Sequence, residues 1–562
     1  MQTLKLLRFL IFYLALTVAQ TSCSKKYDLI IRSQKIYDGL GSAPVSGEIA
    51  IKKDKIIAIG ELDDADAAHI LDVGDLAVSP GFINMLSWAS TRLMIDGRSL
   101  SDIKQGVTLE VFGEGWSEGP LNAKMKEDIR KRQKDFKYDI AWTTLDEFLE
   151  HLIERGISTN VASYVGASTI RIHVLGEENR QPTPEELEKM QQLTREAMRD
   201  GAVGVASALI YAPGVFSSTE ELIALAKVVA EYDGIYTSHI RSEGGQLLEA
   251  VDEFLTILET AECRGEIFHL KAAGKANWSK LHQVIEKIEL AQKRGLSVSA
   301  DMYTYIAGAT GLDATQPPWV QEGGFEKWLE RLRDPETRKK VIAEMQDSST
   351  AWENFYTASG PQNIFLSSLR SDSLKYLTGK SVAEVAKMRG TSAAETVIDL
   401  ILQDDSRVEA IFFLMSEDNI KKQMQLPWVS FCSDAGSMAP EGIFLKSSPH
   451  PRAYGNFVRL LGKYVREESV ISLSEAIRKL TSFPAENLKI QNRGQLKEGY
   501  FADLVIFDAA KIQDHATFEN PHQLASGVEH VFVNGVQVLQ NGQHTNAKPG
   551  RIVRGPGWRK SR

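Results

Sequence analysis

Two histidines thirty residues apart carry the strongest chemical signal in the sequence. His239 closes the apolar run IYTSH, His269 closes EIFH, and a helix-like segment follows each of them. A strand that ends in a polar residue and feeds a helix is the repeating unit of an α/β barrel, whose active site forms where the strands end. Neutral imidazole is also the commonest metal ligand. The pair predicts a metal site on a barrel, although two hydrogen-bonded histidines at strand ends would give the same local pattern.

The elements that would position these histidines follow a βα rhythm. From about Ser79 to Pro484, apolar runs alternate with amphipathic segments of helical length. This alternation predicts an α/β fold with a parallel sheet, and a TIM-like (β/α)8 barrel over residues 79–484 accounts for most of it. The polar, strongly helical stretch at about 316–360 is predicted to be an insertion that could serve as a lid over the strand ends.

Both ends of the chain differ from this centre. Residues 27–78 show short apolar alternations typical of half-buried strands, and residues 485–562 repeat that style. Asn534-Gly535 between two such alternations is a type I′ hairpin signal. We therefore expect a small β-sandwich domain built from both termini.

Composition sets the broad class. The 562 residues are 43% hydrophobic and 25% charged with a net charge of −9, which is typical of an ordinary globular protein. Since no basic run exceeds a solvated helix face, nucleic acid is not expected as a partner. Cys263 and Cys432 could pair only with each other, and their contexts do not suggest a disulfide framework.

Residues 1–23 are predicted to be an export signal. Lys5 and Arg8 flank the start, an apolar run follows from Phe9 to Ala19, and the segment ends at Cys23 before a Lys-rich exit. The apolar run is too short for a membrane span. The site resembles a bacterial lipoprotein cleavage site in which Cys23 is lipidated, so we expect an exported protein, periplasmic or held at the membrane by a lipid. Gln20 departs from the usual aliphatic residue, and an ordinary signal peptide with an incidental cysteine is the alternative.

Beyond these patterns, the chain resembles the amidohydrolase superfamily, and within it the N-acyl-D-amino-acid deacylase (D-aminoacylase) branch. The resemblance covers nearly the whole chain after residue 27. The segments that carry it, in chain order, include VSPGFIN, QGVTLEVFGEG, YTSHIRSEG, FHLKAAGKANW, SADMYTYIAGATGL, FCSDAG, SSPHPRAYGNF and RGQLKEGYFADLVIFD.

The resemblance implies a zinc site. His239 and His269 match two ligands of the family's tightly held zinc, and a cysteine in a GNCG turn completes the set in the family. This chain has Gly113-Glu114-Gly115 there, one residue shorter, which places Glu114 at the cysteine's position. A carboxylate is an acceptable zinc ligand. Alternatively, Glu114 only caps a helix or pairs with an arginine.

A second departure lies after the first barrel strand. The family has His-x-His after Pro-Gly-Phe-Ile-Asp, whereas this chain has Leu86 and Trp88 at the two histidine positions. Neither side chain offers a metal a useful lone pair. We therefore expect one zinc ion rather than a binuclear centre.

Asp434, in FCSDAG, matches the family's catalytic aspartate. Its expected role is to take a proton from the attacking water and to pass it to the leaving amine. The alternative is an Asx-turn or a helix N-cap.

Four further residues match the family's substrate-carboxylate binders. Guanidinium, ammonium and phenol groups all suit an anionic acyl-amino acid. Structural ion pairing is the alternative for the lysine and the arginine. The four residues are Tyr211, Lys271, Tyr303 and Arg452.

Together these features favour a zinc-dependent amidohydrolase that cleaves N-acyl-D-amino acids or dipeptides with a C-terminal D-residue. The substrate would be a small molecule. Two alternatives stay open: a metal-dependent hydrolase of another non-peptide C–N bond such as a cyclic amide, with Leu86 and Trp88 as an apolar wall beside the metal, or a non-catalytic binding protein that keeps the fold.

Overall fold

A computed structural model describes residues 26–133 and 135–559. The predicted export signal and Cys23 lie outside these residues. In the two described ranges, no helix is long and apolar enough to cross a membrane. Cys263 and Cys432 are both buried, and neither forms a disulfide within the described residues.

Strands from the centre of the chain build the barrel and strands from both ends build a second sheet. In chain order the strands are β1 Tyr27–Ile36, β2 Val45–Lys52, β3 Lys55–Gly60, β4 Ala67–Asp72, β5 Ala77–Pro80, β6 Phe82–Asn84, β7 Val107–Phe112, β8 Asn160–Ser163, β9 Val165–Gly166, β10 Gly204–Ala208, β11 Ile235–His239, β12 Arg264–Ile267, β13 Val298–Met302, β14 Ala307–Gly311, β15 Ile364–Ser368, β16 Glu409–Phe413, β17 Val429–Phe431, β18 Leu504–Phe507, β19 Val528–Val533, β20 Val536–Gln540 and β21 Gln543–His544.

The barrel has eight parallel positions. β6, β7 and β8 pair in parallel, as do β9, β10, β11, β12, β13 and β17. β8 and β9 form one barrel strand, interrupted only at Tyr164. The ring closes where Met85 donates its N–H to the carbonyl of Phe431 at 3.4 Å and Ser87 pairs in parallel with Ala435. The predicted α/β barrel is therefore present.

Helices follow the barrel strands and pack outside them, which buries the strands on both faces. The α-helices span Ser90–Leu93, Leu100–Ile103, Ala123–Arg132, Leu145–Arg155, Ala167–Leu175, Pro184–Asp200, Thr219–Glu231, Leu247–Ala261, Leu281–Lys293, Phe325–Arg333, Pro335–Gln346, Phe355–Ser359, Val382–Arg389, Ala393–Asp404, Glu417–Met424, Arg452–Arg459, Leu473–Leu480 and Ser482–Asn487, and Leu460–Glu467 is a π-helix.

Both termini contribute to one sheet of nine strands. The order is β21-β20-β19-β18-β5-β1-β2-β3, and β4 pairs with β1 in parallel. Apolar residues from both ends of the chain, including Ile31, Ile49, Leu504 and Phe532, share one buried cluster on this sheet. Hydrogen bonds thus join the termini in one continuous sheet, and a two-layer sandwich stays a prediction. Asn534 and Gly535 have φ values of 50° and 77°, as the predicted type I′ turn requires.

The longest excursion from the barrel runs between β13 and β17, over residues 303–428. The stretch predicted to be helical at about 316–360 contains the helices Phe325–Arg333, Pro335–Gln346 and Phe355–Ser359. The excursion also contains a three-stranded antiparallel sheet of order β14-β16-β15, which the sequence did not predict. The insertion is therefore larger and more mixed than its helical core suggested.

Candidate metal centre and active-site cavity

The predicted metal ligands and the predicted base meet at the carboxyl ends of the barrel strands. His239 is the last residue of β11, His269 follows β12, Glu114 follows β7, and Asp434 follows β17. Glu114, His239 and His269 are all buried, with 5%, 4% and 2% of their surfaces exposed. The position agrees with the face on which barrel enzymes assemble their active sites.

The turn that carries Glu114 depends on the glycines beside it. Gly113 has a φ of 112°, and a Cβ there would lie 2.6 Å from the carbonyl oxygen of Tyr164. Gly115 has a φ of 63°, and its Cβ would lie 2.6 Å from the Cβ of Ala208. Only glycine fits at these two positions. Because glycine has no Cβ, the chain can turn sharply here and direct Glu114 toward the two histidines.

The three predicted ligands converge on one point. Oε1 of Glu114 lies 3.1 Å from Nδ1 of His239 and 3.0 Å from Nε2 of His269. Tetrahedral zinc with bonds of about 2.0 to 2.2 Å needs donor atoms roughly 3.3 to 3.6 Å apart, so a small rearrangement would admit the ion. Glu114 caps no helix and pairs with no arginine in the described part of the chain. The donor set therefore fits a mononuclear His/His/Glu zinc site.

Electrostatics in this cluster reflect two carboxylates beside two imidazoles. Burial opposes the ionisation of Glu114, but His269 and His239 outweigh it and lower the pKa of the carboxyl group. Burial and Lys271 disfavour a charged His269, whereas Glu114 and Glu243 raise its pKa to about 10. A divalent ion would take over the charge balance that the imidazolium provides, and its binding would release that proton.

Glu243 stands behind both histidines. Its Oε1 lies 3.1 Å from Nδ1 of His269 and accepts from Nζ of Lys271 at 2.6 Å. Its Oε2 lies 3.6 Å from Nε2 of His239, a buried nitrogen without a hydrogen-bond partner among the described residues. A carboxylate on the far nitrogen of a metal-bound histidine fixes the tautomer and orientation of the ring. Glu243 is placed to do this for His269 and, at longer range, for His239.

Glu353 extends this network into the inserted segment. Its Oε2 accepts from the backbone N–H of Glu243 at 2.6 Å. Burial and the neighbouring charge of Glu243 raise the pKa of Glu353 to about 8. His239, Glu243 and Glu353 form a second group whose ligand atoms lie within 4.8 Å of one another. Because Glu353 accepts from the backbone of Glu243 and Lys271 occupies Oε1 of Glu243, we describe this group as support for the histidines.

Asp434 is held on both carboxylate oxygens. Its Oδ1 accepts from Nε1 of Trp88 at 3.0 Å, and its Oδ2 forms an ion pair with Nη1 of Arg452 at 2.8 Å. The backbone of Asp434 is left-handed, with a φ of 46°, and its N–H donates to the carbonyl of Leu86. A carboxylate has about four lone-pair sites, so two remain for a water or a substrate amide.

The four residues predicted to bind the substrate carboxylate all line the same cavity, which has a volume of about 800 Å³. Lys271 is paired with Glu243, and Arg452 is paired with Asp434 while lying 4.4 Å over the ring of Tyr303. Ion pairing, the alternative for these two residues, is thus present alongside their place in the cavity. Burial raises the pKa of Tyr303 to about 12, so its hydroxyl remains a donor at neutral pH. The ring of Tyr211 lies 5.5 Å from the ring of His239.

The two residues that replace the His-x-His pair have different surroundings. Leu86 is fully buried and does not line the cavity, whereas Trp88 is 42% exposed and does. The expectation of an apolar wall formed by both residues is therefore wrong. Trp88 directs its indole N–H at Asp434, and Leu86 packs in the core of the barrel.

Sequence reasoning missed Glu243, Glu353 and the hydrogen bond from Trp88. The position of Glu243, four residues after His239 in YTSHIRSEG, was the available signal, because an acid so close to a strand-end ligand can reach it. Glu353 comes from the long excursion, more than one hundred residues away along the chain, and no local pattern marks it.

Comparison with known proteins identifies relatives along nearly the whole chain. A model of the amidohydrolase family matches residues 109–539. The D-aminoacylase of Alcaligenes xylosoxydans xylosoxydans is 30% identical over 536 residues, which cover 95% of this chain and 98% of that protein. N-acyl-D-glutamate deacylase of the same organism is 29% identical over 531 residues, which cover 94% and 97% of the two chains.

Solved structures agree with these relatives. A crystal structure of D-aminoacylase superposes with a TM-score of 0.77 at 28% identity, covering 94% of this chain and all of that one. N-acyl-D-glutamate deacylase from Bordetella bronchiseptica, complexed with zinc and a phosphonate mimic of the tetrahedral intermediate, gives 0.78 at 27% identity with the same coverage. A D-aminoacylase described as having a binuclear metal centre also gives 0.78 at 27%, with the same coverage.

Proposed function

This chain belongs to the amidohydrolase family and is a hydrolase of carbon–nitrogen bonds other than peptide bonds. From that premise we propose that it is a deacylase of N-acyl-D-amino acids that uses one zinc ion. Dipeptides with a C-terminal D-residue present the same carboxylate next to an amide, and cleavage of that one peptide bond belongs to the proposal as an additional activity. The observation that carries it is the convergence of Glu114, His239 and His269 beside Asp434 in one cavity.

Zinc, when bound by these three residues, would supply Lewis-acid activation of a water molecule and of the amide carbonyl. The remaining steps belong to the chain itself. Asp434 takes the proton of the attacking water on one of its free lone pairs, and it later gives that proton to the amide nitrogen as the C–N bond breaks. Trp88 and Arg452 hold the carboxylate in place on either oxygen during both transfers.

The anchor for the substrate carboxylate is formed by Arg452, Lys271 and Tyr303, with Tyr211 as the fourth predicted binder in the same cavity. Although both cations are already paired, ammonium and guanidinium groups have further donors. Tyr303 adds a hydroxyl whose only hydrogen-bond partner among the described residues is the sulfur of Met415, at 3.5 Å. All three groups stay buried beside the reacting centre, where charge-assisted hydrogen bonds are strong. An anionic amino acid part is therefore the proposed specificity determinant.

The proposal of a single ion is supported by the first barrel strand. Leu86 offers no donor atom, and the indole nitrogen of Trp88 donates a proton instead of a lone pair. A second metal ion would therefore have no side-chain ligand at position 86 or position 88.

Metal analysis and a substrate screen test the function together. Protein purified in zinc is expected to contain about one zinc per chain and to hydrolyse N-acetyl-D-amino acids faster than the L-enantiomers. Asp434→Asn should retain the zinc and lose activity by roughly 10² to 10⁴-fold, the usual contribution of a positioned proton-transfer group. Full activity after complete removal of metal, or hydrolysis of cyclic amides alone, would contradict the proposal.

We also propose that the protein is exported and held at a membrane through a lipid on Cys23, which rests on the sequence of residues 1–23. Replacement of Cys23 by Ser should move the protein from the membrane fraction to the soluble periplasmic fraction. Cytoplasmic retention of the unaltered protein would contradict the export signal.

A further inference from the structure

Arg92 is a half-buried cation that lines the active-site cavity, and it forms no ion pair with any residue in the described ranges. Among the residues that the structure describes, its buried Nε has no hydrogen-bond partner, and the one hydrogen bond of the side chain runs from Nη1 to Oγ1 of Thr91 at 3.3 Å. Across residues 26–133 and 135–559, no carboxylate oxygen lies within ion-pair distance of this guanidinium. The other arginines that line the cavity, Arg132, Arg407 and Arg452, each form an ion pair.

The aromatic support of Arg92 holds the guanidinium in place without neutralising it. Its Cζ lies 4.0 Å over the ring of Phe136, whose ring packs in turn against Phe444 with centroids 5.5 Å apart. A guanidinium on an aromatic face keeps its charge and its edge donors. Burial lowers the pKa of Arg92 and the charge of Glu409 opposes that effect, but an arginine stays protonated at neutral pH. An anion of suitable length would accept charge-assisted hydrogen bonds from this guanidinium.

The place of Arg92 relative to Asp434 shows which part of a substrate it would meet. Arg452 holds one oxygen of Asp434 and Trp88 holds the other. Arg92 lies on the Trp88 side, four residues further along the chain, and its Cγ lies 3.0 Å from where a Cβ would stand on Gly436. If the amino acid carboxylate binds at Arg452, the acyl group extends past Trp88 toward Arg92.

The surroundings on this side indicate the chemistry of the acyl group. The cavity that Arg92 lines also has apolar side chains in its wall, and they suit a methylene spacer. They include Met125, Ile129, Tyr138, Met438 and Ile443.

From this arrangement we infer that Arg92 binds the distal carboxylate of a dicarboxylic acyl group, so that the substrates are N-acyl-D-amino acids with an anion at each end, such as N-succinyl or N-glutaryl derivatives. This inference rests on the proposed deacylase function. It adds an acyl-side subsite to the carboxylate anchor at Arg452.

The test compares N-succinyl and N-acetyl derivatives of one D-amino acid in the wild type and two variants. The ratio of kcat/KM for the N-succinyl over the N-acetyl compound should exceed one, and Arg92→Gln should lower that ratio by about 10 to 100-fold through KM. Arg132→Gln is the matched control, because Arg132 also lines the cavity and lies 5.3 Å over an aromatic ring, Phe325, but faces Glu177 at 3.8 Å. Its ratio should stay within about twofold of the wild type.

The outcomes separate this inference from the function on which it rests. Hydrolysis of the N-acetyl compound with a ratio below one, or a ratio that Arg92→Gln leaves unchanged, would overturn the subsite and keep the deacylase. If neither compound is hydrolysed, the deacylase proposal fails, and ligand-dependent shifts of Tm then report binding to the intact protein without turnover. A larger shift with the N-succinyl compound that is lost in Arg92→Gln would still support the subsite, and equal shifts would overturn it.

Discussion

On the side of β11 and β12, His239 and His269 present their nitrogens to Glu114 and Glu243, in a buried cluster in which Lys271 balances the charge. On the side of β6 and β17, the positions of the family's paired histidines hold Leu86 and Trp88, and the polar group that remains is Asp434. We call the first set of five residues the histidine side and the set of Asp434, Trp88 and Arg452 the aspartate side.

The two sides have different functions. The histidine side provides donor atoms and an outer layer that orients them, which is what tight metal binding requires. The aspartate side directs an indole N–H and a guanidinium at one carboxylate, which restricts the carboxylate to one orientation without a second ion. The difference suggests that metal binding and proton transfer are served by separate residues in this chain, with few residues shared between them.

The largest expected effect comes from breaking the histidine side. His269→Ala should abolish stoichiometric zinc binding and lower kcat/KM by about three orders of magnitude or more, because metal activation is worth several kcal/mol. Zinc content measured by atomic emission and kcat/KM measured on the same preparation check this. As control, His522→Ala removes a histidine that binds Tyr454 and the Ser447 carbonyl, and it should keep its zinc. A zinc-replete His269→Ala protein would show that the three-residue site is misassigned.

A smaller effect is expected from the outer layer of the same side. Glu243→Gln should weaken zinc affinity by about 10 to 100-fold, because the amide no longer provides a charged acceptor for His269 and Lys271. Competition with a chromogenic chelator measures the dissociation constant directly, independent of turnover. Glu253→Gln, which breaks the ion pair with Arg241 away from the cavity, serves as the matched control. Equal zinc affinity in both variants would reduce Glu243 to a packing role.

The contrast between the two sides also separates what the sequence could predict from what it could not. His239 and His269 each close an apolar run, so a local pattern placed them on one edge of the barrel, whereas Asp434 and Glu114 were predicted through the resemblance to the D-aminoacylase branch. The partners of these residues come from distant segments. Trp88 lies 346 residues from Asp434 and Glu353 lies 110 from Glu243, and contacts of that range leave no trace in periodicity.

Distance along the chain also explains why the antiparallel sheet of β14, β15 and β16 was not predicted. The strands β14, β15 and β16 are five residues each and are separated by helices, so their antiparallel pairing depends on tertiary contacts. In contrast, the type I′ turn at Asn534-Gly535 was predicted, because its conformation is dictated by two adjacent residues. Features that depend on adjacent residues could be predicted from the sequence, whereas the pairing of elements far apart along the chain could not.

The smallest expected effect, and the most specific to the aspartate side, comes from Trp88→Phe. The phenyl ring keeps most of the apolar surface but removes the N–H that binds Asp434, so kcat should fall by about two- to tenfold, the value of one net hydrogen bond. Zinc content should not change, because Trp88 contributes no donor to the metal. Trp278→Phe is the matched control, since its indole N–H donates to the Leu414 carbonyl at the same distance of 3.0 Å. If Trp88→Phe lost zinc as well as activity, the two sides would be coupled through the metal, and the division between them would not hold.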